Sequence, residues 1–190
     1  NGTGNIPSFT AVNTGVSPVT AIITVTAVYT NAGITCTGNS QSFTIVVNPT
    51  PTVNPVANQV LCNGSNTAAV NFTGSVPGTI YNWTNNNTSI GLAAAGAGNI
   101  ASFVATNATN VAQTATITVT PNFSNTVTCA GTPITFTITV NPIPTVNPVA
   151  NQTVCAGTTV TQAFTGTVAG TVYSWTNSNT AIGLAASGTG

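Results

Sequence analysis

The chain has no Asp, Glu, Lys, Arg or His anywhere in its 190 residues, where an ordinary soluble domain is about 25% charged. Each missing type closes a class of function. Without His, Asp, Glu or Lys there is no general acid or base of the usual kind and no base to activate a nucleophile, so no enzyme is expected. Without Lys and Arg nothing neutralises phosphate, so nucleic acid is not expected as a partner, and anionic lipid finds no polybasic segment. Without carboxylates no calcium site stiffens the chain, and no cofactor or metal is expected. Without Lys, Lys–Asn cross-links are excluded. Long apolar runs are missing too. The longest are of the kind Ala21-Ile22-Ile23, and Thr or Asn interrupts the rest. A spanning helix needs about 18 consecutive apolar residues, so no membrane insertion is expected in this segment. No secretory signal is visible, and residue 1 falls inside a repeat, so the chain reads as part of a longer array.

What remains is enough to fold. Hydrophobic residues make up 42% of a chain of zero net charge, a balance opposite to that of disordered segments. The decisive feature is an internal repeat. Thr52-Val53-Asn54-Pro55-Val56-Ala57-Asn58-Gln59 returns as Thr145-Val146-Asn147-Pro148-Val149-Ala150-Asn151-Gln152, and Cys36 and Cys62 return as Cys129 and Cys155, all at a shift of 93. Tyr81-Asn82-Trp83 returns as Tyr173-Ser174-Trp175 at 92, and Gly4-Asn5-Ile6 as Gly98-Asn99-Ile100 at 94. One-residue insertions in loops account for the drift. Two prolines mark each seam, Pro49 and Pro51, then Pro142 and Pro144; they remove ladder donors and favour an extended, semi-rigid linker. These seams divide the chain into residues 1–48, the C-terminal part of one module, residues 49–141, a complete module, and residues 142–190, the N-terminal part of the next.

Within the unit the hydrophobic period is two. Ala115, Ile117 and Val119 alternate with threonines, as do Ile134, Phe136, Ile138 and Val140. Such alternation describes strands with one face inward, and the β-branched residues suit a pleated sheet. Phe43 plays the part of Phe136 one repeat earlier. Phe72 and Phe164 anchor an earlier strand, Tyr81 and Trp83 share a face of the next, and Phe103 opens another at Ser102–Ala105. Clusters such as Asn85-Asn86-Asn87-Thr88-Ser89 read as turns. About seven short strands per unit, with a tryptophan on the third, predict an all-β fold of immunoglobulin-like sandwich modules. Core positions are expected at Trp83, Trp175, Phe72, Phe164, Phe136 and Phe43.

The runs Asn-Pro-x-Pro-Thr-Val, Val-Cys-Ala-Gly, Tyr-x-Trp-Thr-Asn, Ile-Gly-Leu-Ala-Ala and Thr-Phe-Thr-Ile-Thr-Val-Asn-Pro resemble the PKD-like, immunoglobulin-related tandem repeats of giant cell-surface proteins of gliding, environmental bacteria. The resemblance covers essentially the whole chain in two register-matched copies. It implies tandem PKD-like modules of about 93 residues, export across the outer membrane (often by the type IX route), and an extracellular, cell-surface place as an adhesin or fibre.

Four cysteines in repeat register suggest disulfides in an oxidising compartment. They stand 26, 67 and 26 positions apart, unlike the close pairs of a zinc site, and thiol catalysis lacks a neighbouring base. Pairing within a module joins Cys62 to Cys129 and leaves Cys36 and Cys155 to partners in adjoining modules or subunits. If copies join end to end, Cys155 meets Cys36. The alternative pairs Cys36 with Cys62 and Cys129 with Cys155 across the linkers. Trp83 and Trp175 read as core rather than as a glycan platform. The Thr-x-Thr rows read as the wet face of a sheet rather than as an ice-binding lattice. Asn-x-Ser/Thr triplets at Asn63, Asn71, Asn82, Asn107, Asn122 and Asn151 leave room for glycans. With no edge-guarding charge, stacking or edge pairing into a fibre is favoured. The expected function is a non-catalytic structural repeat of an extracellular fibre or adhesin stalk, its partners copies of itself end to end. The alternative is a module that binds surface glycans through polar loops such as Asn85–Ser89.

Overall fold

The computed structural model describes residues 2–190. Its regular elements are β1 (Val19–Asn31), β2 (Ile34–Val47), β3 (Gln59–Cys62), β4 (Ile80–Asn85), a 3-10 turn (Thr88–Ile90), β5 (Ala95–Ala97), β6 (Gln113–Asn125), β7 (Val127–Ala130), β8 (Ile134–Asn141), β9 (Ser174–Thr176), a second 3-10 turn (Thr180–Ile182) and β10 (Ser187–Thr189). The fold is all-β. No described helix is long and apolar enough to cross a membrane.

The Thr/apolar alternation builds one central sheet in the order β3-β8-β6-β4-β5, with β7 added beside β6. Strands β4, β6 and β8 pair antiparallel, whereas β3 runs parallel to β8, Gln59 opposite Ile138 and Cys62 opposite Asn141. The inward positions are those that the period of two selects. Ala115, Ile117, Val119, Ile138 and Val140 are fully buried and Phe136 nearly so. The intervening threonines stay partly wet, and Thr114 and Thr139 join hydroxyls across the β6–β8 pair at 3.0 Å.

A second layer covers this sheet, but with little ladder of its own. Around Phe72 and Phe103 the sequence pattern predicts strands. The structure has two isolated bridges instead, Asn66 opposite Val104 and Val70 opposite Ile100. Side chains have taken over the backbone partners there. The Phe72 amide donates to Asn99 Oδ1, the Phe103 amide to Thr67 Oγ1, and the Ala68 amide to Gln59 Oε1. Each such bond satisfies a donor that a neighbouring strand would otherwise take. Val53, Val70, Phe72, Ile90, Leu92 and Ile100 from this layer close a single core with Trp83 and the sheet.

The flanking segments are smaller. Residues 19–47 form a lone hairpin, β1 with β2, and β9 pairs only with β10. Strand β2 is unbroken where its repeat copy is split into β7 and β8, because Pro133 stands in the later copy where Ser40 stands in the earlier. The one-residue insertion sits in the β1–β2 turn. Ala32 and Gly33 both have positive φ there, where the β6–β7 turn uses Thr126 alone.

Candidate functional site

Two surfaces and one seam set this chain apart from an ordinary closed sandwich. The hairpin β1–β2 carries Ala21, Ile23, Val25, Phe43, Ile45 and Val47, the repeat copies of residues that are buried in the central module. Here Phe43 is 45% and Val25 52% exposed, against 2% or less for Phe136 and Val119. Ala21, Ile23, Ile45 and Val47 of this set line, with Ile6, Phe9, Ala11 and Val12, an open apolar groove of about 230 Å³. The C-terminal segment has the opposite half of the same core. Phe164, Tyr173 and Trp175 are half-buried, Ile182 is 72% and Leu184 48% exposed, and the aromatic trio lines a second groove of about 220 Å³. Their copies Phe72, Tyr81, Trp83, Ile90 and Leu92 pack in the central module onto the copies of the hairpin residues.

Both halves already hold their local geometry. Asn13 Nδ2 donates to the Ser17 and Val47 carbonyls, as Asn107 Nδ2 donates to those of Val111 and Val140 beside the central sheet. Asn177 Nδ2 donates to the Leu184 carbonyl, as Asn85 Nδ2 does to Leu92. Trp175 lies over Gly188 as Trp83 lies over Gly96, where an added Cβ would stand 2.4 and 2.3 Å from the indole ring.

The proline seams also differ by what lies behind them. Pro49 and Pro51 are fully buried, and the Pro51 carbonyl rests on Gly131, where a Cβ would stand at 1.8 Å. The side chain of Asn48 reaches the β6–β7 turn, donating to the carbonyls of Asn125 and Val127 at 2.9 and 3.2 Å, and Asn125 Nδ2 donates back to Asn48 Oδ1. The second seam has no such cover, and Pro144 is exposed and Pro142 half-buried.

All four cysteines are free thiols, with Cys36, Cys62 and Cys155 exposed and Cys129 half-buried. Neither pairing read from the sequence is available within the chain. Cys62 sits beside Asn141, level with the Gln113 end of β6, whereas Cys129 sits opposite Phe123. Ten positions of strand separate those levels, about 33 Å at the usual rise per residue. A disulfide needs Cα atoms within about 7 Å. Cys36 lies opposite Tyr29, equally far from the seam end of its hairpin, where Val19 meets Val47. The hairpin does not pack on β3, which removes a Cys36–Cys62 bridge across the linker, and by repeat a Cys129–Cys155 bridge.

The other candidates also resolve. Trp83 is buried, offering no aromatic platform, and its Nε1 has no hydrogen-bond partner. The polar loop is tied down by hydrogen bonds, with Asn85 buried and Asn86, Thr88 and Ser89 exposed. Asn86 Oδ1 accepts the Thr116 amide, while Asn87 Oδ1 accepts the amide and hydroxyl of Ser89 and its Nδ2 donates to the Thr114 carbonyl. Asn107 is 4% exposed, which removes that triplet as a glycan acceptor. Burial raises the Tyr81 hydroxyl above its ordinary pKa. Among the described residues no group of three or more potential metal ligands converges.

Residues 59–144 match the family model of the PKD-like domain. That segment contains the whole central sheet from β3 to β8, so this part of the chain is similar to a PKD-like domain, in keeping with its all-β fold. No curated protein and no solved structure gives a match. What sequence reasoning missed at this site is the Asn48 clasp. Its signal was the asparagine preceding each seam proline, Asn48 and Asn141.

Proposed function

We propose that the chain is a non-catalytic structural repeat of an extracellular fibre or adhesin stalk, built by successive modules running end to end as an extended filament. In this reading residues 1–48, 49–141 and 142–190 are a C-terminal half-module, a complete module and an N-terminal half-module. Each half is completed by the opposite half of a further copy of the unit. One observation carries it: the two exposed apolar faces are repeat copies of the two faces that meet in the core of the central module. Covering side chains such as Phe43, Ile182 and Leu184 removes apolar surface from water at about 25 cal/mol per Å². No charge opposes the approach of copies, because the chain has none. The glycan-binding alternative gains no support from a buried Trp83 or from a loop whose Asn86 and Asn87 side chains are already bonded to protein groups.

The test is sedimentation and electron microscopy of the purified 190-residue chain over a range of concentrations, under reductant. End-to-end growth into narrow filaments with a module-scale repeat is the expected result. Phe43→Asn should suppress growth while leaving the thermal transition of the central module in place. A monodisperse monomer at high concentration, or growth that Phe43→Asn leaves untouched, overturns the reading.

A further inference from the structure

We infer that the cysteines are seam locks, forming disulfides between successive modules and never inside one; this rests on the end-to-end reading above. Each module carries one cysteine at each pole. Cys129 stands at the pole where the chain enters, two residues from Val127, whose carbonyl binds Asn48, and two from Gly131, on which Pro51 rests. Cys62 stands at the pole where the chain leaves, in register with Asn141, while the neighbouring Asn63 amide donates to the Asn141 carbonyl at 2.9 Å. Asn141 is the repeat copy of Asn48.

One asparagine per seam therefore touches both poles. On its own module it lies beside the exit cysteine, one strand spacing away, about 4.8 Å. Its side chain grips the next module's entry turn, two residues from the entry cysteine. Superposing the two seams of the chain places an exit thiol and an entry thiol on either side of the same asparagine, roughly 10–15 Å apart along the strand spacings. The exit cysteine ends a short strand and is exposed, so the remaining gap closes by a shift of that strand end and of the entry turn facing it rather than of a core. Within the chain each seam has only one thiol of its pair. Cys129 lacks the exit cysteine of the module before, and Cys62 lacks the entry cysteine of the module after.

For copies of this chain joined end to end the pairing is fully specified. Cys62 of one copy bonds Cys36 of the next, and Cys155 of the first bonds Cys129 of the next. The chemistry is two thiol–disulfide exchanges with a small-molecule disulfide. The first protein thiolate attacks that disulfide, forming a mixed disulfide and expelling one small thiolate. The second protein thiolate attacks the mixed disulfide and expels the other. Two protein thiols are oxidised, one small disulfide is reduced to two thiols, and the protons pass to the departing thiolates.

The test separates this scheme from pairing within modules. Filaments grown under reductant are transferred to oxidised glutathione, capped with an alkylating reagent, and digested with pepsin at low pH, since trypsin has no site in a chain without Lys or Arg. The expected linked peptides join Cys62 to Cys36 and Cys155 to Cys129. The double variant Cys36→Ser/Cys62→Ser provides a second readout. Seam locking leaves Cys155–Cys129 links, so a ladder of covalent multimers persists on non-reducing gels. Pairing within modules leaves no link at all, and the ladder collapses to monomer. Peptides joining Cys62 to Cys129 or Cys155 to Cys36, collapse of that ladder, or filaments that stay fully reducible-sized after oxidation each overturn the seam lock while sparing the filament. Failure to form filaments under reductant removes the filament reading and the seam lock with it.

Discussion

At the scale of single residues, asparagine does the work that charged side chains do elsewhere. Asn107 is buried, donates to the Val111 and Val140 carbonyls, and accepts the amide and hydroxyl of Thr109. Asn107→Ala should therefore lower stability by roughly 1–3 kcal/mol, the cost of buried polar groups left without partners, measured by urea unfolding. Gly96 has a different constraint, because its missing Cβ makes room for the Trp83 indole. Gly96→Ala should cost about 1–3 kcal/mol through overpacking, visible as a lowered thermal midpoint. The hydrophobic residues of this core were legible in the sequence through their period. The asparagine clips were not, because Asn reads as a turn former and its hydrogen-bond partners lie up to 33 residues away.

At the scale of elements, identical sequence patterns meet different fates. Phe136 on β8 and Phe43 on β2 occupy the same repeat position, yet one is 2% and the other 45% exposed. Phe136→Ala should destabilise the central module by about 3–5 kcal/mol. Phe43→Ala should change the unfolding of unassembled chain by less than about 0.5 kcal/mol, as at an ordinary surface site. Differential scanning calorimetry on both variants, at a concentration below assembly, checks the contrast. Strands β6 and β8 follow directly from alternation of threonine with apolar residues. The second layer around Phe72 and Phe103 does not, because Thr67 and Asn99 side chains replace the ladder that makes a strand. The cysteine pairing was illegible for a related reason. Spacing along the chain says nothing of which pole a strand end reaches, and the parallel β3–β8 pair puts Cys62 at the pole opposite Cys129.

At the scale of the whole molecule, neutrality sets the response to solution conditions. With no Asp, Glu, His, Lys or Arg side chain to titrate, unfolding free energy should stay flat from about pH 4 to 8. Tyr81 then sets a limit. Burial raises its pKa, so the folded state keeps a proton that the unfolded chain releases near pH 10. Its contribution is intact below about pH 10 and is lost as pH climbs through the higher folded value; urea titrations at stepped pH check the direction. Assembly should be equally indifferent to salt between about 0.05 and 1 M, since there is no Coulomb term to screen, which sedimentation at graded ionic strength tests. One feature of the central sheet bears on what such a chain withstands. β3 is the first strand of the module, β8 the last, and they run side by side in the same direction. A force drawing the ends of the module apart slides one against the other, loading every bond of that pair together instead of peeling them singly. Rupture then demands their simultaneous failure.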